Sequence, residues 1–275
     1  MNTSKATQAE KAQRFQALHA RPGVFVIPNP WDMGSARILE SLGYEALATT
    51  SAGYAFSIGR LDGAVGLDEM IEHCRVLCAC TSLPVSAVLV HGYAEDPKAA
   101  AQTLVRDAEA GLVGGSIEDF SGDAKKPIYD FAFAVERVRV AAEAVKKLPF
   151  KFMFCARAEN LIHGVDDLDD TIKRLQAFEA AGADVLYAPG LKTLEEVRRV
   201  TSALKKPVNV NMTSLQQATV AQIGEAGGKR ISTGGALARA AIGALLRAGR
   251  EMKEQGTFTW GAGATSTPDI KNILG

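Results

Sequence analysis

The segment Ile27-Pro28-Asn29-Pro30-Trp31-Asp32 decides the fold class of this 275-residue sequence. It follows the first strand-like apolar run, Val24–Ile27, at the point where an open, doubly wound parallel sheet prefers a glycine-rich phosphate loop. The segment contains no GxGxxG pattern, so the doubly wound sheet is the less favoured of the two α/β folds. We therefore predict a (β/α)8 TIM barrel, in which eight parallel strands alternate with helices.

Short apolar runs recur along the whole chain, and each is followed by a longer stretch with helical spacing, which is typical of parallel βαβ units. The predicted strands are Val24–Ile27, Ala46–Thr49, Val85–Val90, Gly114–Glu118, Phe152–Arg157, Val185–Ala188, Val208–Asn211 and Arg230–Ser232. The predicted helices are Met33–Leu42, Leu67–Thr81, Pro97–Ala110, Phe131–Lys147, Leu168–Ala181, Leu194–Leu204, Leu215–Ala226 and Ala236–Gln255. No proline-rich or serine-rich linker divides these units, so residues 1–275 are predicted to form one barrel domain with an N-terminal helix and a C-terminal extension.

Charge and composition exclude several classes of protein. Lys plus Arg equals Asp plus Glu, at 31 residues each, so the chain lacks the positive excess that nucleic-acid binding uses. Apolar runs such as Phe152 to Cys155 are far too short to span a membrane, and the polar segment Met1 to Arg21 lacks the apolar block of a secretion signal. The cysteines include no CxxC pair, which fits reduced thiols. We predict a cytoplasmic protein that binds a small metabolite and neither nucleic acid nor membrane.

Polar residues near the C-terminal ends of the predicted strands are the candidates for chemistry, because TIM barrels place their active sites there. Arg157 ends the fifth strand, and its planar fork of donors suits a substrate carboxylate; structural pairing with Glu118 or Glu159 is the alternative. The other candidates are the acids Asp62 and Glu118, the base His91, and the polar or small residues Thr50, Ser51, Ala52, Tyr54 and Asn211. An acid, a base, a cation and hydroxyl donors are thus expected to meet at one rim.

Several of these residues also have an ordinary structural interpretation. Asp62 lies in a glycine-punctuated loop, where an aspartate is usually a turn residue. Tyr54 and Asn211 are as often packing residues as ligands, and His163, which precedes a glycine, is typical of a turn. The sequence alone therefore leaves both interpretations open for these four positions.

Five motifs resemble one enzyme family in order and spacing over nearly the whole chain. They are Asn29-Pro30-Trp31-Asp32-Met33-Gly34-Ser35-Ala36-Arg37, Ala48-Thr49-Thr50-Ser51-Ala52-Gly53, Ser116-Ile117-Glu118-Asp119, Cys155-Ala156-Arg157-Ala158-Glu159 and Gly234-Gly235-Ala236-Leu237-Ala238-Arg239. Together they resemble the isocitrate lyase and phosphoenolpyruvate mutase superfamily, and within it the phosphonomutase-like and 2-methylisocitrate-lyase-like branch.

The resemblance implies a (β/α)8 barrel whose last helix is exchanged between subunits, giving a homodimer or homotetramer. It also implies cleavage or formation of a C–C or C–P bond in a small 2-oxo or 2-hydroxy carboxylate, through an enolate and usually with Mg²⁺. By position, Thr50, Ser51 and Ala52 match the segment that holds the substrate carboxylate. Asp62 and Glu118 match acids that hold the water molecules of the metal, and Arg157 matches the substrate-binding arginine.

The third strand departs from the family pattern at the metal site. Family members carry two acids there, one of them the direct metal ligand, and Val88 and Val90 occupy these positions here. Because a hard cation requires oxygen ligands, magnesium affinity is predicted to be strongly reduced.

The loop after the fourth strand, Phe120–Asp130, also departs from the pattern, because it lacks the catalytic cysteine of the lyases. A proton donor from this loop would have to be Ser121, Asp123, Lys125 or Tyr129, and the sequence does not rank them.

Three hypotheses remain open from the sequence. The chain is a lyase or related enzyme with metal held weakly by Asp62, Glu118 and the substrate, or an enzyme that works without metal and uses His91 for part of the electrostatic stabilisation. The third is a non-catalytic relative that binds a carboxylate.

Overall fold

The computed structural model describes residues 6–275, and its centre is an eight-stranded parallel sheet in the order β1-β8-β7-β6-β5-β4-β3-β2. The strands are β1 (Phe25–Ile27), β2 (Leu47–Ala48), β3 (Val85–Val88), β4 (Gly114–Glu118), β5 (Met153–Arg157), β6 (Val185–Tyr187), β7 (Val208–Asn211) and β8 (Arg230–Ser232). A backbone hydrogen bond from Ala48 N to Pro28 O, 3.0 Å long, joins β2 to the end of β1 and closes the ring. The predicted (β/α)8 barrel is confirmed.

Helices surround the strands and continue beyond the last one. They are α1 (Gln8–Ala20), α2 (Met33–Ser41), α3 (Ser51–Ser57), α4 (Leu67–Cys80), α5 (Pro97–Glu109), α6 (Phe131–Val145), α7 (Leu168–Ala180), α8 (Leu194–Ser202), α9 (Val220–Glu225), α10 (Ala236–Gln255) and α11 (Thr267–Leu274). The segment after β1 begins α2, because the Asp32 carboxylate accepts a hydrogen bond of 2.7 Å from Ser35 N and so caps the first turn. None of the helices in residues 6–275 has both the length and the apolar character needed to cross a membrane.

The predicted helix Leu215–Ala226 and the predicted loop after β2 need correction. Thr219 and Gln222 form a capping box that starts α9 at Val220, so that helix is shorter than predicted. After β2, the Thr50 hydroxyl accepts a hydrogen bond from Gly53 N and starts helix α3, which the sequence pattern did not predict. Seven residues are too few to display a helical period, which explains the omission.

The predicted third strand, Val85–Val90, is two residues too long. β3 ends at Val88, since Val90 has a φ of 43° and Gly92 and Tyr93 have φ values of 76° and 56°. Positive φ is costly for a β-branched residue, so valine at this position reflects constraint by the surrounding structure. The backbone therefore leaves the strand in front of the candidate residue His91.

The interior of the barrel is apolar at its N-terminal end and polar above it. Phe15 of α1 is fully buried and packs in one cluster with Phe25, Met153 and Val185 from the strands. Helix α1 therefore closes the N-terminal end of the barrel. Small and polar inward residues follow toward the C-terminal end, and they leave open space for a site.

Helix α10 is largely exposed although it carries several apolar side chains. Only Ala238 among its residues is buried, whereas Leu245 is 72% exposed and Phe258, just after the helix, is 69% exposed. The predicted exchange of this helix between subunits stays a prediction.

Candidate active site

Two connected cavities open at the C-terminal end of the barrel, where the strand ends were predicted to converge. The inner cavity, about 280 Å³, extends into the barrel, and the outer cavity, about 480 Å³, lies over β3, β4 and β5. Both are lined by Ser51, Asp62, Val88, Arg157 and Ile162. The structure therefore brings Asp62, a hydroxyl and the predicted arginine to one pocket.

The outer cavity adds two further acids and two histidines. Its other polar lining residues are His91, Tyr93, Glu118, Glu159 and His163. His163 ends the short turn Asn160–Ile162, as its structural interpretation predicted, and its ring stacks on that of Phe120 with 3.9 Å between centroids.

Arg157 is held between two buried carboxylates. Its Nε donates to Glu159 Oε1 at 2.7 Å, and its Nη2 lies 3.2 Å from Glu118 Oε2. The guanidinium also covers the ring of Tyr187, 4.8 Å from the centroid. Arg157 therefore pairs with both Glu118 and Glu159, whereas the structural interpretation expected one or the other. Binding of a substrate carboxylate by Arg157 stays a prediction.

The two glutamates respond differently to this shared cation. Burial raises the pKa of Glu118, and the charges of Glu159 and Asp62 add to the rise against the opposing charge of Arg157. Burial also acts to raise the pKa of Glu159, but the closer charge of Arg157 outweighs it and the pKa of Glu159 falls below its usual value. Only 12% of the Arg157 side chain is exposed, yet the two carboxylates raise its pKa and keep it charged.

Asp119 supports this arrangement from behind. Its Oδ1 accepts from Glu159 N at 2.8 Å, and its Oδ2 accepts from Arg174 Nη1 at 3.1 Å. Arg174 also donates to Asp170, at 2.7 Å. Burial raises the pKa of Asp119 to about 6, against its hydrogen bond from Glu159 N and the charge of Arg174. Sequence reasoning missed this support, although the adjacent acids at the end of β4 were a signal that one of them would face away from the cavity.

The corner after β3 is fixed by Arg137 of α6. This buried guanidinium donates to the carbonyl oxygens of His91, Ala94 and Glu95, the Ala94 bond being 3.0 Å long. Burial and then the charge of Arg137 lower the pKa of His91, so the imidazole is neutral near pH 7. His91 therefore meets the outer cavity as an uncharged group beside Val88.

The predicted carboxylate-binding segment divides between cavity and core. Thr50, Ser51, Ala52 and Asn211 line the inner cavity, and Asn211 Nδ2 donates to the Tyr187 hydroxyl at 2.9 Å. Tyr54 does not line either cavity: its ring stacks on that of His73, 3.7 Å between centroids. The structure thus places Tyr54 in the packing position that was its alternative.

The loop after β4 gives the cavities little polar chemistry. Ser121 donates to Lys126 O at 2.6 Å, and Phe120 pairs with Ile128 in an antiparallel bridge. From this loop the outer cavity takes Phe120 and Gly122, and none of the four candidate proton donors, Ser121, Asp123, Lys125 and Tyr129, lines either cavity.

Sequence reasoning also missed two arginines that line the inner cavity, Arg230 and Arg239. Arg239 follows the diglycine segment after β8, and the described ion pairs of the chain do not include it. Arg239 ends the motif Gly234 to Arg239 that carries part of the family resemblance, and that motif was the available signal. Arg230 carried no signal, because it reads as an ordinary strand residue.

The residues at this rim do not fit the magnesium ion that the family resemblance implies. Val88 and Val90 have no donor atoms, and Glu118 is already paired with Arg157. Over residues 6–275, no group of three or more His, Cys, Asp or Glu side chains is arranged to hold a metal ion. Asp62 alone is an insufficient ligand set for a cation that usually keeps octahedral oxygen coordination.

Comparisons with known proteins agree with the fold and the motif order. A family model described as phosphoenolpyruvate phosphomutase matches residues 15–253. A Burkholderia cenocepacia J2315 protein provisionally named a lyase/mutase has a crystal structure with 52% identity and a TM-score of 0.94, covering 96% of this chain and 95% of that one. The structure of 2,3-dimethylmalate lyase is 27% identical, with a TM-score of 0.85 over 98% of this chain and 95% of that one. The 2-methylisocitrate lyase of Escherichia coli K12 is 28% identical over 207 residues, 72% of this chain and 69% of the relative.

Proposed function

The chain belongs to the phosphoenolpyruvate phosphomutase family, and on that premise we propose that it is a lyase-type enzyme acting on a small 2-oxo or 2-hydroxy carboxylate. Its named relatives include lyases of small carboxylates. The observation that carries the proposal is Arg157, 12% exposed at its side chain and fixed by Glu118 and Glu159 beside Ser51 in one pocket. An inner cavity of about 280 Å³ suits a ligand of only a few carbon atoms.

The proposed chemistry passes through an enolate. When the C–C or C–P bond from the α-carbon to the leaving group breaks, its electron pair becomes the enolate double bond and the carbonyl π electrons move onto the carbonyl oxygen. The group that gives up the pair leaves as an electrophile: CO2, an aldehyde or ketone whose hydroxyl proton passes to water, or a phosphoryl group taken by water. Arg157 would stabilise that oxyanion as a fixed cation that needs no reorganisation, a contribution of a few kcal/mol when donors are well placed. The substrate carboxylate would bind at Thr50, Ser51 and Ala52, and Asn211 lines the same cavity.

We propose that this reaction does not depend on tightly bound Mg²⁺. Val88 and Val90 leave the rim without the oxygen donors that the family resemblance implies, so oxyanion stabilisation is assigned to the protein. His91 lies beside these valines in the outer cavity and is uncharged. In this proposal it donates a hydrogen bond to the bound substrate, while Glu118 and Asp62 provide the acidic face of the site.

A non-catalytic, carboxylate-binding protein is the second candidate. The two valines and the absence of cysteine from the loop Phe120–Asp130 favour it. Such a protein would use the same pocket for binding without bond cleavage.

We also propose that the active form is a homodimer or homotetramer that buries α10. The exposed fractions of Leu245, Leu246 and Phe258 are 72%, 51% and 69%, and a soluble monomer rarely exposes a large contiguous apolar patch. A second copy of the chain is the expected cover. Light scattering of the full chain tests this assembly.

The experiment for the proposed function is a turnover and binding panel of small 2-oxo and 2-hydroxy carboxylates, each measured with EDTA and with added Mg²⁺. We expect turnover of at least one member, with little change on adding EDTA. Ser51→Ala should weaken binding, whereas Ser57→Ala should not, because Ser57 is an exposed residue at the end of the same helix. Binding without turnover supports the second candidate, and absence of both from the whole panel contradicts the proposal.

A further inference from the structure

We infer that the inner cavity ends in an anion-binding subsite formed by Arg230, which receives a second negatively charged group of the ligand. The inference deepens the proposed function and rests on it, because it takes the same pocket to be the substrate site. It assigns the ligand to the short dicarboxylates, with one carboxylate at the mouth of the barrel and the other inside it.

Arg230 is a buried guanidinium with neutral partners. The residue is 5% exposed, and it lines the inner cavity. Its Nε donates to Asn209 Oδ1 at 2.8 Å, and its Nη1 lies 3.3 Å from His19 Nε2. The Cys155 thiol is near enough for the charge of Arg230 to act on its pKa. Across residues 6–275, no carboxylate forms an ion pair with Arg230.

These partners stay uncharged at neutral pH. Burial, followed by the charge of Arg230, lowers the pKa of His19 to about 3. Burial raises the pKa of the Cys155 thiol, although Arg230 opposes the rise. A buried ion without a counter-ion costs several kcal/mol in folding, so the structure retains a charge that nothing in the described chain neutralises. A bound anion would supply the missing charge.

The interior around Arg230 has room for such an anion. Barrel interiors are usually filled by bulky branched side chains, yet the inner cavity is lined here by Ala48, Ser86, Ser116 and Ser232. The small size of these four residues leaves the space open, and the hydroxyl groups of the three serines can donate to carboxylate oxygens. The cavity therefore combines a cation, hydroxyl donors and volume in one enclosed place.

The strand register places this subsite below the mouth. Arg157 of β5 is aligned with Tyr187 of β6, which is aligned with Asn209 of β7 and then with Arg230 of β8. This row of aligned residues therefore extends over three inter-strand distances. The same row continues to Phe25 in the apolar end of the barrel. With strands about 4.8 Å apart and tilted about 36°, the backbone of Arg230 lies roughly 8 Å deeper than that of Arg157. That depth suits a short dicarboxylate spanning from mouth to interior.

Calorimetry with succinate and butyrate tests the subsite, because these acids have equal chain length and differ by one carboxylate. The wild-type protein should bind succinate at least about tenfold more tightly than butyrate. Arg230→Met should abolish that difference while changing butyrate affinity by less than about threefold, and Arg230→Lys should retain part of it. Circular dichroism and the Tm of each ligand-free variant verify folding.

Ser116→Leu provides an independent test that leaves Arg230 in place. The larger side chain should fill the inner cavity and also remove the preference for succinate. The inference is overturned if wild-type protein does not distinguish the two acids, or if folded Arg230→Met keeps the preference for succinate. It is also overturned if chloride binds at Arg230 to saturation without weakening succinate binding, because the site then holds an adventitious ion only. Turnover of a 2-oxo dicarboxylate that folded Arg230→Met leaves unchanged would refute the subsite but retain the proposed function, whereas wild-type binding of no carboxylate would refute both.

Discussion

Arg157 and Arg230 occupy the same register row of the barrel but lie in regions of opposite electrostatic character. At the mouth, two carboxylates within 3.2 Å surround Arg157. In the interior, Asn209, His19 and Cys155 offer Arg230 only neutral contacts. The difference teaches that Arg157 already has the partners that stabilise a buried cation, whereas Arg230 depends on something that binds.

The largest expected effect comes from removing the cation at the mouth. Arg157→Met leaves Glu118 and Glu159 buried without a counter-charge, so the free energy of unfolding should fall by about 3–5 kcal/mol. Urea denaturation measures the loss. The double variant Arg157→Met/Glu159→Gln should regain part of it, because it buries one charge fewer. Equal stability of the single variant and wild type would show that the mouth does not depend on this pairing.

Arg137 extends the comparison to a third buried arginine, one that binds carbonyl oxygens of the corner after β3. Arg137→Met should lower the free energy of unfolding by about 2–4 kcal/mol, since several carbonyl groups lose a charged donor. Arg139→Met is the matched control on the same helix. Arg139 pairs with Glu136 and Glu143 at the surface, where such pairs contribute about 0–1 kcal/mol. Similar losses in the two variants would contradict a special role for Arg137.

The neutral surroundings of Arg230 predict a pH dependence of stability. His19 binds a proton below about pH 6.5 in the unfolded chain, but only near pH 3 in the folded one. The unfolded state therefore binds more protons between these values, and stability falls as the pH falls. Between pH 7.5 and 4.5 this one group should cost about 2–3 kcal/mol.

Chemical denaturation of wild type and His19→Gln at both pH values isolates this contribution, because the other titrating groups are common to both. The wild type should lose more stability than the variant on acidification. Parallel losses would mean that His19 titrates normally and that neither its burial nor the charge of Arg230 keeps it neutral.

The smallest expected effect concerns the acidity of the mouth. Val88→Asp/Val90→Glu should tighten Mg²⁺ binding by at least about tenfold, or about 1.4 kcal/mol, since it supplies oxygen ligands beside Asp62. Magnesium titration by calorimetry checks the gain. Val220→Asp, on exposed α9, adds negative charge away from the cavities and should leave the affinity unchanged.

Local patterns made the barrel and its rim predictable, whereas contacts between distant strands were not. Alternation of apolar runs with helical spacing located the strands that end in Glu118, Arg157 and Asn211, and these side chains line the predicted pocket. The pairing of Arg157 with Glu118 depends on how β4 and β5 align with each other, and the sequence of a single strand does not reveal that alignment.

Tyr54 and Arg230 show why the remainder was missed. Thr50 starts helix α3, and in this helix the ring of Tyr54 faces His73. The helix is too short to show a helical period in the sequence, so this orientation was not predicted. Arg230 acquires its depth from the stagger of the strands around the ring, so its neighbours in sequence give no indication that it faces an internal cavity.

The joint between β1 and β2 carries a mechanical consequence. Ala48 N bonds to Pro28 O there, and the Asn29 amide donates to Thr49 O at 2.7 Å while its oxygen accepts from Thr233 and Gly234. One asparagine side chain thus connects the segments that follow β1, β2 and β8, at a place where few backbone hydrogen bonds join β1 to β2. Thermal motion of the barrel should therefore separate β1 and β2 more readily than other strand pairs. Because Thr50 and Ser51 follow β2, that motion would widen the ligand entrance first.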